Sequence, residues 1–217
     1  REGQNLTFRL RLNDQEIRRS YSLCSSPHEG EWRVAVKKVE DGLFSCYAND
    51  NLKAGDILEV MPPVGTFNTD ISSDHKKNYI AFAAGSGITP VLSIIKTVLH
   101  TEPASRFTLV YGNKTRQDII FLEELEGLKN LYTHRFQLLH ILSREQVDSQ
   151  VLQGRIDAAK MEELSNFIPF AGMDEFFICG PEQMIFSVKE YLEQKGINSK
   201  KIHFELFTSS GQVKAVP

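Results

Sequence analysis

The chain has 217 residues, 41% of them hydrophobic and 24% charged, with a formal net charge of -3. That composition suits one or two folded domains and excludes a disordered, collagen-like or disulfide-framework chain. No run of Lys or Arg concentrates positive charge, which argues against nucleic acid as a partner.

The first third reads as antiparallel β structure. Leu6, Phe8, Leu10 and Leu12 alternate with Thr7, Arg9 and Arg11, the period-two mark of a half-buried strand. Residues 19–24 give a second strand, and Trp32, Val34 and Val36 alternate with Arg33, Ala35 and Lys37 as a third. Residues 57–61 give a fourth. Turn residues at 28–30, 41–42 and 53–56 separate them, as in a small antiparallel, Greek-key β-barrel. Four strands are few for closure and the first residue is Arg1, so further strands are expected to precede it. Pro62-Pro63 ends the β run and the polar residues 68–77 mark a boundary, giving domains at 1–77 and 78–217.

From Asn78 the pattern becomes strand–loop–helix. Residues 79–84 form an apolar run suited to a strand buried on both faces. A helix follows over 91–100 with Val91, Ile94, Ile95 and Val98 on one face. Residues 107–111 and 136–142 predict two more strands, with a helix around 123–125 between them. A fourth strand covers 175–179 and feeds a helix bearing Met184, Val188, Tyr191 and Leu192. Gly196 ends that helix and residues 202–207 supply the fifth strand. Strands alternating with helices predict a doubly wound, five-stranded parallel α/β sheet. Gly85, Gly87 and Pro90 interrupt the uncharged residues 79–95, so no membrane span is expected.

Three scattered cysteines (Cys24, Cys46, Cys179) suit neither disulfides nor a metal cluster, and a reducing, cytoplasmic setting fits them. The six histidines lack metal-ligand spacing, so no metal site is expected. Gly85-Ser86-Gly87-Ile88-Thr89-Pro90 joins a strand to a helix, where backbone N–H groups and the positive helix end can hold a pyrophosphate. The same glycines serve equally as a tight turn. Cys179-Gly180-Pro181 occupies the carboxyl end of a buried strand, the edge at which open α/β sheets bind ligands. A free cysteine is nonetheless more often an inert core residue. Arg19 and Tyr21 share one strand face and suit a phosphate and a planar ring, or simply an exposed barrel strand. Asp41-Gly42-Leu43-Phe44-Ser45 offers a second anion nest or a glycine turn.

Three of these segments carry a resemblance. Arg19-Ser20-Tyr21-Ser22-Leu23-Cys24-Ser25 resembles the R-x-Y-S-x-x-S flavin motif of the ferredoxin–NADP reductase-like family. Gly85 to Pro90 resembles that family's G-x-G-x-x-P loop, and Cys179-Gly180-Pro181-Glu182-Gln183-Met184 its C-G-P-x-x-M motif. The order is the family's, and the likeness covers essentially the whole chain. It is nearest to oxygenase reductases that carry a plant-type ferredoxin domain after the nucleotide domain. Ala48 replaces the last Leu of the family's G-x-x-S-x-x-L pattern, a change in packing more than in phosphate binding.

The resemblance implies FAD and NADPH, with NADH possible, as cofactors. It gives Arg19 the FAD pyrophosphate, Tyr21 the flavin and ribityl, and Ser22 a hydrogen bond near flavin N5. Val36 and Lys37 would line the flavin, while Gly42, Phe44 and Ser45 would cover its pyrophosphate. Gly85, Gly87, Thr89 and Pro90 would hold the nicotinamide nucleotide together with Gly180, Pro181 and Met184. Cys179 would lie beside the nicotinamide, with Glu205 and Phe207 as flavin neighbours. Ser143-Arg144-Glu145-Gln146 resembles the segment that grips the 2′-phosphate, and Lys114 or Arg116 would add charge.

The implied chemistry is hydride transfer from nicotinamide to flavin, then release of single electrons to a [2Fe-2S] ferredoxin-like domain or protein serving an oxygenase component. Thr208-Ser209-Ser210-Gly211-Gln212 has linker composition and is expected to lead to such a domain. Two other readings remain: an FAD-containing conduit without NAD(P)H turnover of its own, and an α/β domain whose loops are only turns.

Overall fold

The computed structural model describes residues 1–12 and 15–207; the linker-like tail that begins at Thr208 lies outside them. In the first lobe, β1 (Asn5–Leu12) pairs antiparallel with β2 (Gln15–Ser22) along its whole length. The short β3 (Glu59–Val60) lies on the other edge of β1, giving a three-stranded, barrel-like sheet in the order β2-β1-β3. Alternation sends Leu6, Phe8 and Ile17 to one face, where they meet Leu23 and Phe44 in a small core. Phe44 comes from α1 (Leu43–Asp50), a helix where the sequence pattern suggests only a turn.

The alternation of Trp32, Val34 and Val36 does not become a strand. Only a single bridge, Leu23 to Val34, forms there. Polar side chains take the backbone groups that a neighbouring strand would need: Ser25 Oγ accepts from the Arg33 N–H, and Asn49 Nδ2 donates to the Val36 carbonyl. The strand expected over 57–61 likewise shrinks to two residues, with Ile57 fully in solvent.

The second lobe follows the predicted pattern closely. Its elements are β4 (Asn78–Ala84), α2 (Ile88–Thr101), β5 (Arg106–Asn113), α3 (Leu122–Leu131), β6 (Phe136–Leu142), α4 (Ala158–Ser165), β7 (Glu175–Gly180), α5 (Glu182–Gln194) and β8 (Ile202–Leu206). All five strands run parallel in the order β6-β5-β4-β7-β8. Helices α2 and α3 cover one face, α4 and α5 the other. The unforeseen α4 starts at Asp157, whose carboxylate accepts the Lys160 N–H at 2.9 Å as an N-cap. After the exposed Asn78, central β4 is a run of Tyr and apolar residues because both faces are covered, and each large side chain buried there contributes roughly 1.5–3 kcal/mol.

Helix α2 is buried on every side, since its outer face meets the first lobe. Ser93 Oγ donates to the Ser25 carbonyl at 2.7 Å. Lys96 lies between Glu29 and Glu124, Arg33 reaches Glu124 at 2.9 Å, and the His28 and His100 rings stack 3.9 Å apart. Partial burial opposes ionisation of Glu29, yet bonds from the Ser26 N–H and Lys96 outweigh it and hold the carboxyl at about 2. These contacts join the lobes on the side away from the strand ends.

Candidate functional site

The carboxyl ends of β4 to β8 open onto a cleft of about 700 Å³. The chain leaves β4 through Gly85, whose φ of +53° is left-handed and suits a residue without Cβ. Two residues later the turn passes so close to β7 that a Cβ on Gly87 would stand 2.1 Å from the Cys179 carbonyl oxygen. The glycine spacing is therefore a packing requirement, and it aims the start of α2, with its partial positive charge, at the strand ends. Thr89 Oγ1 donates to the Ser86 carbonyl at 3.0 Å, and Thr89 and Pro90 are buried in the first turn of α2. They shape the loop from behind and do not line the cleft.

Of the predicted nucleotide residues, the fold brings Gly85, Ser143, Arg144, Gly180, Pro181 and Met184 to this cleft, joined by Lys37 from the first lobe. Ser143 is tied down: its N–H and hydroxyl both reach the Asn113 carbonyl, at 3.0 and 3.3 Å. Arg116 is not brought there. It lies by a separate cavity, its guanidinium on Glu126 at 3.2 Å and its N–H on Glu145 at 2.6 Å. Lys114, two residues before it, lines the cleft instead.

Arg155 lines the cleft too, although nothing in the sequence marks the segment between β6 and α4. A parallel bridge from Leu142 to Gln153 folds that segment back beside Ser143. Lys37, Lys114, Arg144 and Arg155 are exposed and lack ion-pair partners among the described residues. The facing carboxylates have local duties. Asp118 accepts from Thr115, which together with Lys114 and Lys37 lowers its pKa, and Asp157 caps α4. The cleft is net positive and fits a phosphorylated ligand.

A second cluster forms where the lobes meet. Ser22, the last residue of β2, donates its hydroxyl to Glu205 Oε2 of β8 at 3.2 Å, and Glu205 is the β-ladder partner of Cys179 on β7. Burial raises the Glu205 carboxyl to about 7, against a smaller opposing effect of the Ser22 bond. Burial, reinforced by Glu205, pushes the wholly buried Cys179 thiol well above its usual range. Near neutrality this leaves a protonated thiol beside a carboxyl that can hold or release a proton.

Around β2, Arg19 Nη1 donates to the Arg18 carbonyl, and Tyr21 is half-buried against Phe44 and Phe8, with ring centroids 5.4 and 6.1 Å away. Arg19 and Tyr21 remain available as a cation and an aromatic face, which fits an anion beside a planar ring. For Phe44, the side chain and the backbone are placed differently. Its ring is almost fully buried in the first-lobe core, leaving only its backbone at the start of α1. Gly42 caps that helix, and the Ser45 hydroxyl bonds Gly42 and Val39, so it holds the loop's shape. Val36 packs on the small core. Lys37 lines the cleft with the other cations.

Among the described residues no cluster of His, Cys, Asp or Glu could hold a metal, and no helix is long and apolar enough to cross a membrane.

Comparison with known proteins agrees with this geometry. Residues 1–69 match the family described as the oxidoreductase FAD-binding domain, and residues 82–190 match the oxidoreductase NAD-binding domain. The chain is 46% identical over 212 residues to one of the subunits of the Escherichia coli 1,2-phenylacetyl-CoA epoxidase, covering 97% of this chain and 60% of that protein. It is 36% identical to the ferredoxin reductase component of a Rhodococcus rhodochrous 3-ketosteroid-9-alpha-monooxygenase, covering 96% of this chain and 56% of that one. The chain thus spans less than two thirds of either relative. Among solved structures, ferredoxin–NADP+ reductase of Plasmodium falciparum with 2′-phospho-AMP superposes with a TM-score of 0.74 at 26% identity, over 95% of this chain and 83% of that one.

Proposed function

Because the chain belongs to the ferredoxin–NADP reductase-like oxidoreductases, with a FAD-binding and an NAD-binding domain, we propose that it is the flavoprotein module of an oxygenase reductase. It takes reducing equivalents from NADPH, or from NADH, and passes them to a [2Fe-2S] ferredoxin-like domain or protein that serves an oxygenase component. The names of the relatives, one part of an epoxidase and the ferredoxin reductase component of a monooxygenase, support this reading. When bound, the flavin supplies the conversion of a hydride into single electrons.

The chain's own residues bind, orient and shield. We assign flavin binding to residues 1–77 and dinucleotide binding to 78–217. Gly85 and Gly87 let the α2 start approach a pyrophosphate, with Thr89 and Pro90 fixing the loop. Ser143, Arg144, Lys114 and Arg155 hold a 2′-phosphate. Arg19 holds the FAD pyrophosphate and Tyr21 packs on the flavin. Ser22 orients the Glu205 carboxyl, which holds a proton at the meeting of the lobes, and Cys179 closes the same spot against water.

The observation that carries the choice of NADPH is the set of unpaired cations beside Ser143. Anaerobic titration of the purified flavoprotein tests it. NADPH bleaches the flavin absorbance faster than NADH does. Arg144→Ala lowers the NADPH preference about ten- to a hundredfold, the worth of one charge-assisted contact. A flavin spectrum indifferent to both nucleotides points to the conduit; a protein that takes up no FAD rejects both readings.

A further inference from the structure

Two residues before the end of β5, the side chain of Tyr111 is wholly buried in the core beneath α2 and stands behind the cleft wall. Its hydroxyl crosses to the end of the neighbouring β4 and donates to the Gly85 carbonyl at 2.8 Å. The Asn113 side-chain amide and the Ile120 N–H lie against the same oxygen. A phenol has one proton and two lone pairs, so donors on that side leave its proton for Gly85. Burial raises its pKa, which keeps it a donor at neutral pH. The Gly85 carbonyl also accepts the Ile88 N–H, so one oxygen ties the loop to both α2 and β5.

We infer that Tyr111 is a positioning residue of the dinucleotide site: its hydroxyl sets the Gly85–Ser86 peptide so that the Ser86 N–H meets the pyrophosphate. The inference rests on the nucleotide reading above. A trans peptide is planar, with its C=O and N–H on opposite sides. Holding the Gly85 carbonyl towards β5 therefore turns the Ser86 N–H the other way, in a segment whose residues 85 and 86 line the cleft. Left free, the same peptide could rotate and present its carbonyl to an anion, which would repel it. Gly85 does not resist such a turn, because glycine accepts either sign of φ and the space where a Cβ would stand is empty to 4 Å. Tyr111 supplies the resistance from the adjacent strand without touching the ligand. It acts on the pyrophosphate, common to NADH and NADPH, whereas Arg144 discriminates between them.

The test compares two ligands on the purified flavoprotein by competition with NADPH: ADP-ribose, which has the pyrophosphate, and adenosine 2′-monophosphate, which lacks it. Tyr111→Phe removes only the hydroxyl, and Tyr111→Leu is a second variant without it. Both weaken ADP-ribose about three- to tenfold, the worth of one neutral hydrogen bond. Adenosine 2′-monophosphate keeps its affinity, and so does the ratio of NADPH to NADH binding. Equal ADP-ribose affinity in wild type and a folded variant overturns the inference. So does an equal loss for both ligands, which is what a merely structural role would give. A wild type that binds neither ligand nor NADPH overturns the nucleotide reading itself.

Discussion

Replacing Glu205 with Gln should change how stability depends on pH, in a direction fixed by burial. The carboxyl lies at 4.5 in an exposed setting and at about 7 in the fold, with the Ser22 hydroxyl as its hydrogen-bond partner. Its folded value is raised, so below pH 4.5 it is protonated in both the folded and the unfolded chain and destabilises neither. As pH rises from 4.5 to about 7 the unfolded chain releases the proton and the fold retains it, so stability falls across that window. Each tenfold change in proton affinity is worth about 1.4 kcal/mol, so the accumulated loss above pH 7 is about 3 kcal/mol. Glutamine keeps the shape without the charge, and Ser22 can turn its hydroxyl to accept from the amide. Thermal unfolding at pH 5, 6, 7 and 8 should give the smallest gap between wild type and Glu205→Gln at pH 5, where about 0.8 kcal/mol of the loss has accrued. At pH 8 the variant should melt roughly 6–12 °C higher, given 2–4 °C per kcal/mol for a chain of this size. Midpoints that run parallel from pH 5 to 8 would refute the argument that burial governs this carboxyl.

Lys96→Met removes the buried cation between Glu29 and Glu124 and should destabilise the protein by about 1–3 kcal/mol, because it leaves Arg33 as their remaining ion-pair partner; denaturant unfolding measures it. Gly87→Ala drives a methyl into the Cys179 carbonyl and should lose about 3 kcal/mol, with weakened nucleotide binding read in the same samples. Phe44→Ala empties the centre of the first-lobe core and should lose about 3–5 kcal/mol in the same assay. An aromatic disulfide reagent should modify Cys46 quickly in the native protein, and the buried Cys24 and Cys179 only in denaturant; fast labelling of Cys179 would contradict its burial.

Much of the second lobe was legible because β4, β5 and β7 are covered on both faces, so their strands appear as largely apolar runs with clear ends. Helix α4 escaped notice although Asp157, Met161 and Leu164 mark its cap and its face, since it is short and otherwise polar. In the first lobe, alternation at Trp32, Val34 and Val36 misled because pairing depends on which groups take the backbone partners, and Ser25 and Asn49 took them. The glycine loop, Ser143 and Arg144 were readable from motifs. Arg155 was not, because a single bridge, not local pattern, brings it to the cleft.

The contacts along the outer side of α2, from Ser25 through Lys96 to the stacked His28 and His100, act like the spine of a bound book. A single stitch, Ser22 to Glu205, holds the pages near the opposite margin. A reactant must then come and go past the fore-edge, where Lys37 and Phe207 line the opening.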